Sequence, residues 1–294
     1  MDEKTLGIYH KSCVDGTMAA AVLLKNFPSI TLFPFSYGDM EEELAPLLAV
    51  VDSQTTVYIV DFSFEEKAGI ETLFARNPKK VITIDHHITP YEALLKSAEK
   101  YKNFEYIFDK NYSGAWLTWK YFYPEVPVPE LIELVSLSDT GQWDKDKRAS
   151  YVNASLTPCT NDPQSMLRML EKPLQEIVEE GKRLDGYNTF LINLSLGKTD
   201  PNKIVIHGHH VLSFNATLPT QQMRSQLGSL LVKKYGETVA VYRITGGNVH
   251  ISFRGMDRVE PSAQELAEAL GGGGHRNAAG AGMTLPEFLE ILDI

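Results

Sequence analysis

Short β-branched apolar runs alternate with amphipathic stretches through the first half of the chain. Five runs have the length and composition of buried strands, at residues 6–9, 30–35, 57–61, 81–85 and 104–108. Each is followed by a segment with helical spacing, at residues 17–27, 40–50, 65–76, 91–101 and 113–122. This alternation predicts an α/β fold, a parallel sheet wrapped by helices.

The pattern changes towards residue 200. Residues 163–197 carry a long helical pattern, which Pro173 and Gly186 are expected to interrupt. Beyond it we predict strands at 203–206 and 211–215, a helix at 221–235, a hairpin of strands 239–244 and 249–253, and helices at 262–270 and 286–292. The predicted organisation is a first domain over 1–162, a helical connector over 163–200 and a smaller mixed α/β domain over 201–294, with the active site in the interdomain cleft.

Composition narrows the classes of partner. The chain has 28 Lys and Arg against 38 Asp and Glu, a net charge of −10, so it lacks the positive field of a protein that coats long nucleic acid. A long duplex is therefore disfavoured, whereas a short anionic substrate is not. Without a basic apolar leader or an apolar run near 18 residues, we expect a soluble cytoplasmic protein with no membrane partner. Two cysteines are too few for a disulfide framework.

Acidic and imidazole side chains follow several of the predicted segments at the points where these end. The strand at 81–85 ends in Asp85-His86-His87, and the strand at 57–61 ends in Asp61. The first strand leads into His10, Cys13 and Asp15, and a helical segment over 131–139 ends in Asp139. Side chains past the carboxyl ends of parallel strands share one crevice. Carboxylates and imidazoles together there predict a divalent-metal site.

A glycine run near the C-terminus predicts a site for phosphate. Four glycines at 271–274 precede His275 and Arg276. Without Cβ atoms, their backbone can approach a phosphate closely and direct N–H groups at it. The alternative is a helix C-terminus, where glycine is common. Arg254, at the end of the strand at 249–253, is a second candidate for phosphate contact, with a solvated strand-end arginine as the alternative.

These motifs resemble those of the DHH phosphoesterase superfamily, which includes RecJ-type exonucleases, nanoRNases, family II pyrophosphatases and cyclic-dinucleotide phosphodiesterases. Residues 85–87 match the signature that names the family, Asp61 its second motif, and Asp139 in SLSDTG its fourth. Residues 271–280 match the GGGH-x-x-AAG motif of the associated C-terminal domain. The resemblance runs from about residue 6 to about residue 283.

The resemblance implies roles for these residues. Asp61 is expected to bridge two metal ions, with Asp15, His86 and Asp139 around one ion and His10 near the other. Asp85 and His87 are expected to orient the ligands, and together with His275 they form the expected catalytic set. The implied substrate-binding residues are Gly272, Gly273, Gly274, His275, Arg276 and Arg254. Mn²⁺ is the ion that the resemblance implies.

Cys13 departs from the family pattern, which has an acid two residues before the second aspartate of the first motif. One interpretation makes Cys13 a thiolate ligand, which would favour Zn²⁺ or Fe²⁺ relative to Mg²⁺. The other is a small buried thiol with no bond to metal. One or two ions are compatible with the pattern, and Mg²⁺, Zn²⁺ and Fe²⁺ stay open beside Mn²⁺.

The function expected from this resemblance is that of a metal-dependent phosphodiesterase. It would hydrolyse short oligonucleotides or small nucleotide phosphoesters and release mononucleotides. One alternative is an exopolyphosphatase or phosphatase that acts on phosphoanhydrides or phosphomonoesters. Another is a nucleotide-binding sensor whose catalysis is impaired by Cys13. The sequence also leaves a homodimer open.

Overall fold

The chain folds into two compact units, Met1–Asp185 and Gly186–Ile294. The structure is a computed structural model and describes residues 4–36, 40–64, 67–88, 90–197 and 201–293. Each unit is built around one sheet. The predicted start of a helix at Glu65 lies outside the described residues.

The first unit contains the parallel sheet that the alternating pattern predicts. Its strands are β1 (Lys4–His10), β2 (Thr31–Phe35), β3 (Thr55–Val60), β4 (Lys80–Asp85) and β5 (Phe104–Phe108). They lie in the order β2-β1-β3-β4-β5, and all neighbouring pairs are parallel. β1, β3 and β4 are adjacent, so the residues at their carboxyl ends reach the same edge.

Helices cover both faces of this sheet. They are α1 (Val14–Asn26), α2 (Met40–Leu48), α3 (Lys67–Phe74), α4 (Tyr91–Lys100), α5 (Gly114–Phe122), α6 (Glu130–Asp139), α7 (Arg148–Leu156) and α8 (Pro163–Leu170). Successive strand residues point to opposite faces. Ile8 and Ile59 therefore join the core under α2, α3 and α4, whereas Tyr9 and Val60 join the core under α1, α5 and α6.

A long helix, α9 (Leu174–Leu196), begins in the first unit and ends in the second. The break expected near Pro173 is present, because α8 ends before it. The break expected at Gly186 is not: α9 is continuous there, and space is open around that glycine. One glycine costs a helix about 1 kcal/mol, which 23 residues of α9 outweigh. The domain limits at 162 and 200 stay predictions.

The second unit is a mixed seven-stranded sheet with helices on both faces. Its strands are β6 (Asn202–Ile206), β7 (His209–Asn215), β8 (Val239–Thr245), β9 (Asn248–Arg254), β10 (Gly273–His275), β11 (Ala278–Thr284) and β12 (Leu292–Asp293), in the order β10-β11-β9-β8-β7-β6-β12. Its helices are α10 (Gln221–Tyr235), α11 (Ala263–Glu268) and α12 (Leu285–Ile291). The cores place α10 on one face and α11 and α12 on the other.

The glycine motif is the largest difference between prediction and structure in this unit. We expected a loop, whereas the residues around it form the antiparallel pair β10–β11 at the sheet edge. Glycine and alanine give no β-propensity signal, so the pairing could not be recognised. The predicted fold class, a helix-wrapped parallel sheet with a smaller mixed α/β domain, is confirmed. Among the described residues, no helix has both the length and the apolar character needed to cross a membrane.

Candidate active site

The candidate metal centre lies at the carboxyl edge of β1, β3 and β4. His10 ends β1, Asp61 follows β3, and Asp85 ends β4. The N–H of Asp61 donates to the Ile84 carbonyl at 3.0 Å, which joins the end of β3 to β4. Asp61 has a φ of 52°, in the left-handed region where aspartate is one of the tolerated residues. The sheet order therefore brings together residues that are far apart in the sequence.

Three overlapping groups of side chains at this edge could each hold a metal ion. In each group, one ligand atom per residue lies within 4.8 Å of the others. The groups are Asp61, Asp85, His86 and His87; His10, Cys13 and Asp61; and Asp15, His86 and Asp139. These groups contain all seven acidic and imidazole residues that the sequence predicted at the metal centre, and Cys13 as well. The seven are His10, Asp15, Asp61, Asp85, His86, His87 and Asp139. Metal binding by these residues is a prediction that geometry permits.

Asp61 occupies the middle of the centre. One carboxylate oxygen lies 3.3 Å from His86 Nε2, and the other lies 3.7 Å from His10 Nδ1. Burial raises the pKa of Asp61, but the two imidazoles outweigh it and hold this pKa well below its usual range. His86 Nε2 also lies 3.2 Å from Asp139, whose side chain is 26% exposed. Asp61 is thus positioned for two ligand groups at once.

Asp15 is held in place by the start of α5. Its Oδ1 accepts hydrogen bonds from the Ser113 hydroxyl at 2.6 Å and the Ala115 N–H at 3.2 Å. Burial, followed by the negative charges of Asp61 and Asp139, raises the pKa of Asp15 well above its usual value. An acid held this close to two others is unfavourable as an anion unless a cation joins them.

The buried carboxylate oxygens provide the test of whether a metal fits. Oδ2 of Asp15 and both oxygens of Asp61 are buried, and none accepts a well-aligned hydrogen bond within the described part of the chain. Buried polar atoms without partners are costly, and buried like charges more so. A divalent cation would give these oxygens a partner and would offset the repulsion between the carboxylates. Carboxylate ligands suit Mn²⁺ or Mg²⁺, and the imidazole ligands also suit Zn²⁺. The residues present therefore fit a divalent metal.

Asp85, which is buried, and His87, which is partly exposed, form an ion pair beside these residues. Asp85 Oδ1 lies 2.8 Å from His87 Nδ1, and the Ser63 hydroxyl donates to Oδ2. Burial opposes charge on His87, but Asp85 and then Asp61 outweigh it and raise the pKa of His87 to about 10. Asp85 also accepts the N–H of His86 at 2.8 Å. Asp85 thus holds the backbone N–H of His86 and the ring of His87.

Cys13 lies at the N-cap of α1, facing the same site. Its side chain is half-buried, and its sulfur groups with His10 and Asp61. Burial, followed by the charges of Asp61 and Asp139, raises the pKa of the thiol well above its usual value. A metal ion is what would favour the thiolate here, and both interpretations of Cys13 remain open.

Part of the glycine motif of the second unit is required for close packing of strands β10 and β11 at the sheet edge. A Cβ at Gly272 would lie 2.1 Å from the Gly280 carbonyl, and one at Gly274 would lie 2.6 Å from Ala279 Cα. Gly271 ends the turn after α11 with a φ of 74°, so the helix-end alternative holds for this residue. Gly273 faces open space. Close strand packing thus explains two of the four glycines, and one remains open to a ligand.

Three side chains near this hairpin are the candidates for phosphate contact. His275 is exposed at the end of β10. Arg276 is half-exposed and pairs with Glu260 at 2.5 Å. Arg254 donates from Nε and Nη2 to the Ser225 hydroxyl, at 3.1 and 2.8 Å, and from Nη1 to its neighbour's carbonyl. Burial lowers the pKa of Arg254 to about 10. Its supports are neutral, so Arg254 retains a charge that an anion could neutralise.

Sequence reasoning missed the residues that bring these side chains close together. Gly114 approaches Asp61 so closely that a Cβ would lie 2.5 Å from the Asp61 Cβ. A Cβ at Gly16 would lie 2.2 Å from the His10 carbonyl, and one at Gly228 would lie 2.6 Å from Arg254 Cγ. The Ser113-Gly114 pair before a helical pattern is a visible signal for a helix start, but its contact with Asp15 spans 98 residues.

Comparisons with known proteins agree with this architecture. Residues 210–293 match the DHHA1 domain model. An uncharacterized protein of Acanthamoeba polyphaga mimivirus is 22% identical over 95% of this chain and 67% of its own length. An uncharacterized protein of Methanocaldococcus jannaschii is 30% identical over 49% of this chain, which is 26% of that protein.

RecJ from Thermus thermophilus, solved in complex with Mn²⁺, shares the fold. It superposes with a TM-score of 0.56 at 17% identity, over 98% of this chain and 51% of RecJ. The chain therefore spans about half the length of that protein. The chain is a two-part α/β protein whose first unit carries carboxylates and imidazoles at the carboxyl edge of its parallel sheet. Residues 210–293 thus match the DHHA1 domain model, and the fold of the whole chain is similar to that of RecJ.

Proposed function

We propose that this protein is a metal-dependent phosphodiesterase that hydrolyses short oligonucleotides or small nucleotide phosphoesters and releases mononucleotides. The observation that carries the proposal is the set of buried carboxylate oxygens on Asp15 and Asp61 that accept no well-aligned hydrogen bond within the described residues and lie beside two histidines. Such a group is unfavourable for a merely structural edge of a sheet. It is favourable for a site that binds cations.

The proposed ligands divide between two positions that share Asp61. His10, Cys13 and Asp61 would form one position, and Asp15, His86 and Asp139 would form the other. Asp61 lies beside the second position as well, because its carboxylate is 3.3 Å from His86 Nε2. When bound, divalent ions supply Lewis-acid stabilisation of the charge on a phosphoryl group. We propose Mn²⁺ as the ion, in keeping with the RecJ structure solved with it.

The chain's own residues would orient the ligands and hold the substrate. Asp85 fixes the His87 ring through a 2.8 Å contact. The resulting imidazolium places a positive charge beside the carboxylates, where an anionic substrate must approach. In the DHHA1 domain, Arg254 supplies a buried cation supported by neutral groups, and His275 and the N–H of Gly273 are the further proposed contacts. Arg276 could contact a substrate phosphate only if it released Glu260, with which it is paired.

Charge supports a short substrate over a long one. The net charge of −10 gives no extended field for a long polyanion. The cations proposed to touch substrate are few and local. Dinucleotides to pentanucleotides are therefore the proposed range, and nucleotide-sized phosphoesters are the lower limit.

Hydrolysis of defined oligonucleotides tests the proposal. The full chain is incubated with Mn²⁺ and oligoribonucleotides of two to five residues, and products are separated by chromatography. We expect mononucleotides from the wild type and none from Asp61→Asn, with the variant's folding checked by circular dichroism. Absence of mononucleotides from every oligonucleotide would reject this substrate class.

Two further measurements, orthophosphate release and thermal stabilisation by nucleotides, separate the two rival functions. Orthophosphate released from pyrophosphate or polyphosphate, with oligonucleotides left intact, would replace the proposal with a phosphatase. Stabilisation of the fold by nucleotides, without turnover in Mn²⁺, Mg²⁺, Zn²⁺ or Fe²⁺, would replace it with a nucleotide-binding sensor. The fold that the chain shares with RecJ favours the phosphodiesterase proposal. Cys13, which stands where the family pattern has an acid, favours the sensor.

A further inference from the structure

One face of the DHHA1 sheet beside α10 continues beyond Arg254. On β9, residues 250, 252 and 254 point to this face, because side chains alternate along a strand. The odd positions Val249, Ile251 and Phe253 are buried on the opposite face. Arg254 thus marks one end of a row whose other end is His250.

Part of this face is almost free of side chains. On β11 the corresponding positions pair with β9 as Gly282↔His250, Gly280↔Ser252 and Ala278↔Arg254. A Cβ added at Gly282 would meet no atom within 4 Å. The alternate positions Ala279 and Ala281 are buried on the other face. This flat strip, residues 278, 280 and 282, lets a ligand lie against backbone between two groups of cations.

The two arginines and the imidazole at the His250 end come from three elements. Arg243 on β8 lies directly opposite His250 in the β8–β9 register, so their Cβ atoms are about 5 Å apart. Arg224 in the first turn of α10 is 8% exposed and donates from Nη1 to the Leu218 carbonyl at 2.7 Å. Burial, then the charge of Arg243, lowers the pKa of Arg224, and both arginines lower the pKa of His250 after burial does.

Within the described residues, none of the three pairs with a carboxylate. The Nε of Arg243 is moreover buried without a hydrogen-bond acceptor. Two guanidinium groups that repel one another, beside an imidazole whose protonation they oppose, are unfavourable unless an anion joins them. The remaining donors of both arginines suit the planar, bidentate recognition of a phosphate.

We propose that Arg224, Arg243 and His250 form a second anion subsite, which binds a substrate phosphate distant from the one that Arg254 contacts. This inference rests on the proposed function and specifies its substrate further. Positions 250 and 254 are four residues apart on β9, or about 14 Å. That span corresponds to about four stacked nucleotides at 3.4 Å each.

The subsite therefore predicts a dependence of affinity on substrate length. A dinucleotide can reach the Arg254 end alone, whereas an oligonucleotide of four or five residues can reach both groups of cations. Each charge-assisted contact of this kind is worth about tenfold in affinity. The preferred substrate would be a single-stranded oligonucleotide of about four or five residues rather than a dinucleotide.

Binding without turnover tests the subsite. Fluorescein-labelled oligoadenylates of two to six residues are titrated with the full chain in EDTA, and anisotropy reports the Kd. We expect wild-type affinity to rise with length, and Arg243→Gln to lose about tenfold for the pentanucleotide but less than twofold for the dinucleotide. Lys233→Gln, which removes an exposed cation of α10, should leave both unchanged.

Two results would overturn the subsite. One is equal loss of affinity for both lengths in Arg243→Gln, and the other is an unchanged length dependence. Since Arg243 is partly buried, His250→Gln provides a second variant at an exposed position with the same expected selectivity for long substrates. Failure of the proposed function is distinguishable: it appears as absent hydrolysis in Mn²⁺, whatever the length dependence of binding in EDTA.

Discussion

At the scale of single residues, the centre is defined by carboxylate charges that the described side chains around them neutralise only in part. Asp15 keeps one oxygen paired through Ser113 and Ala115, and its other oxygen faces the acids around it. Asp61 relies on two imidazoles at 3.3 and 3.7 Å. The least determined member is Cys13, whose sulfur lies within ligand range of His10 and Asp61. What this sulfur does decides which metal the site prefers.

Substitution of Cys13 distinguishes its two interpretations. If the thiolate is a ligand, the Co²⁺-loaded wild type should show a near-ultraviolet sulfur-to-cobalt charge-transfer band that Cys13→Ser loses and Cys159→Ser keeps. Cys13→Asp would restore a hard ligand, so its affinity for Mn²⁺ should rise roughly tenfold or more relative to Zn²⁺. Both are measured by absorption spectroscopy and calorimetric titration.

The opposite result has its own signature. If Cys13 only packs, the cobalt band is absent in the wild type. Cys13→Asp would then place another carboxylate among Asp61, Asp139 and Asp15, with no metal to share. The protein would unfold at a lower temperature, and its metal preference would not change.

At the scale of elements, the sequence predicts the parts of the site that follow strands and fails on parts that packing brings in. Apolar runs predicted β1, β3 and β4, and the polar residues just after them lie together because these strands are neighbours. Ser113 and Gly114 belong to a different element, and their contacts with Asp15 and Asp61 depend on how α5 packs. The β10–β11 pairing was not predicted for another reason. Its glycines allow close packing of two strands, and the same run of glycines is also typical of a phosphate-binding loop.

A matched pair of glycine substitutions tests the approach of α5 to the site. Gly114→Ala would place a Cβ 2.5 Å from the Asp61 Cβ, so the fold should lose about 1–3 kcal/mol and metal affinity should fall with it. Gly186→Ala, inside α9 with open space around it, should instead stabilise by about 0.5–1 kcal/mol. Chemical denaturation measures both; a neutral Gly114→Ala would contradict the close packing.

At the scale of the whole molecule, the proposal divides labour between the two units. The acid–imidazole residues all belong to Met1–Asp185, whereas Arg254, His275 and the second cationic group all belong to Gly186–Ile294. Under this proposal, metal binding would belong to the first unit and oligonucleotide binding to the second, and each unit has its own hydrophobic clusters. Hydrolysis needs both, which makes the two contributions separable by mutation.

Variants in each unit should fail in complementary ways. Asp61→Asn should lose the rise in melting temperature on adding Mn²⁺, yet bind oligonucleotides in EDTA like the wild type, because its change lies in the first unit. His275→Gln should keep the Mn²⁺-induced rise but bind oligonucleotides several-fold more weakly, since it changes a proposed substrate contact on β10. Both should lose turnover, by a factor of about a hundred or more for Asp61→Asn. Differential scanning fluorimetry with and without Mn²⁺, and anisotropy in EDTA, measure the two properties independently. Loss of the Mn²⁺ response in His275→Gln would contradict this division and assign that histidine to the metal centre.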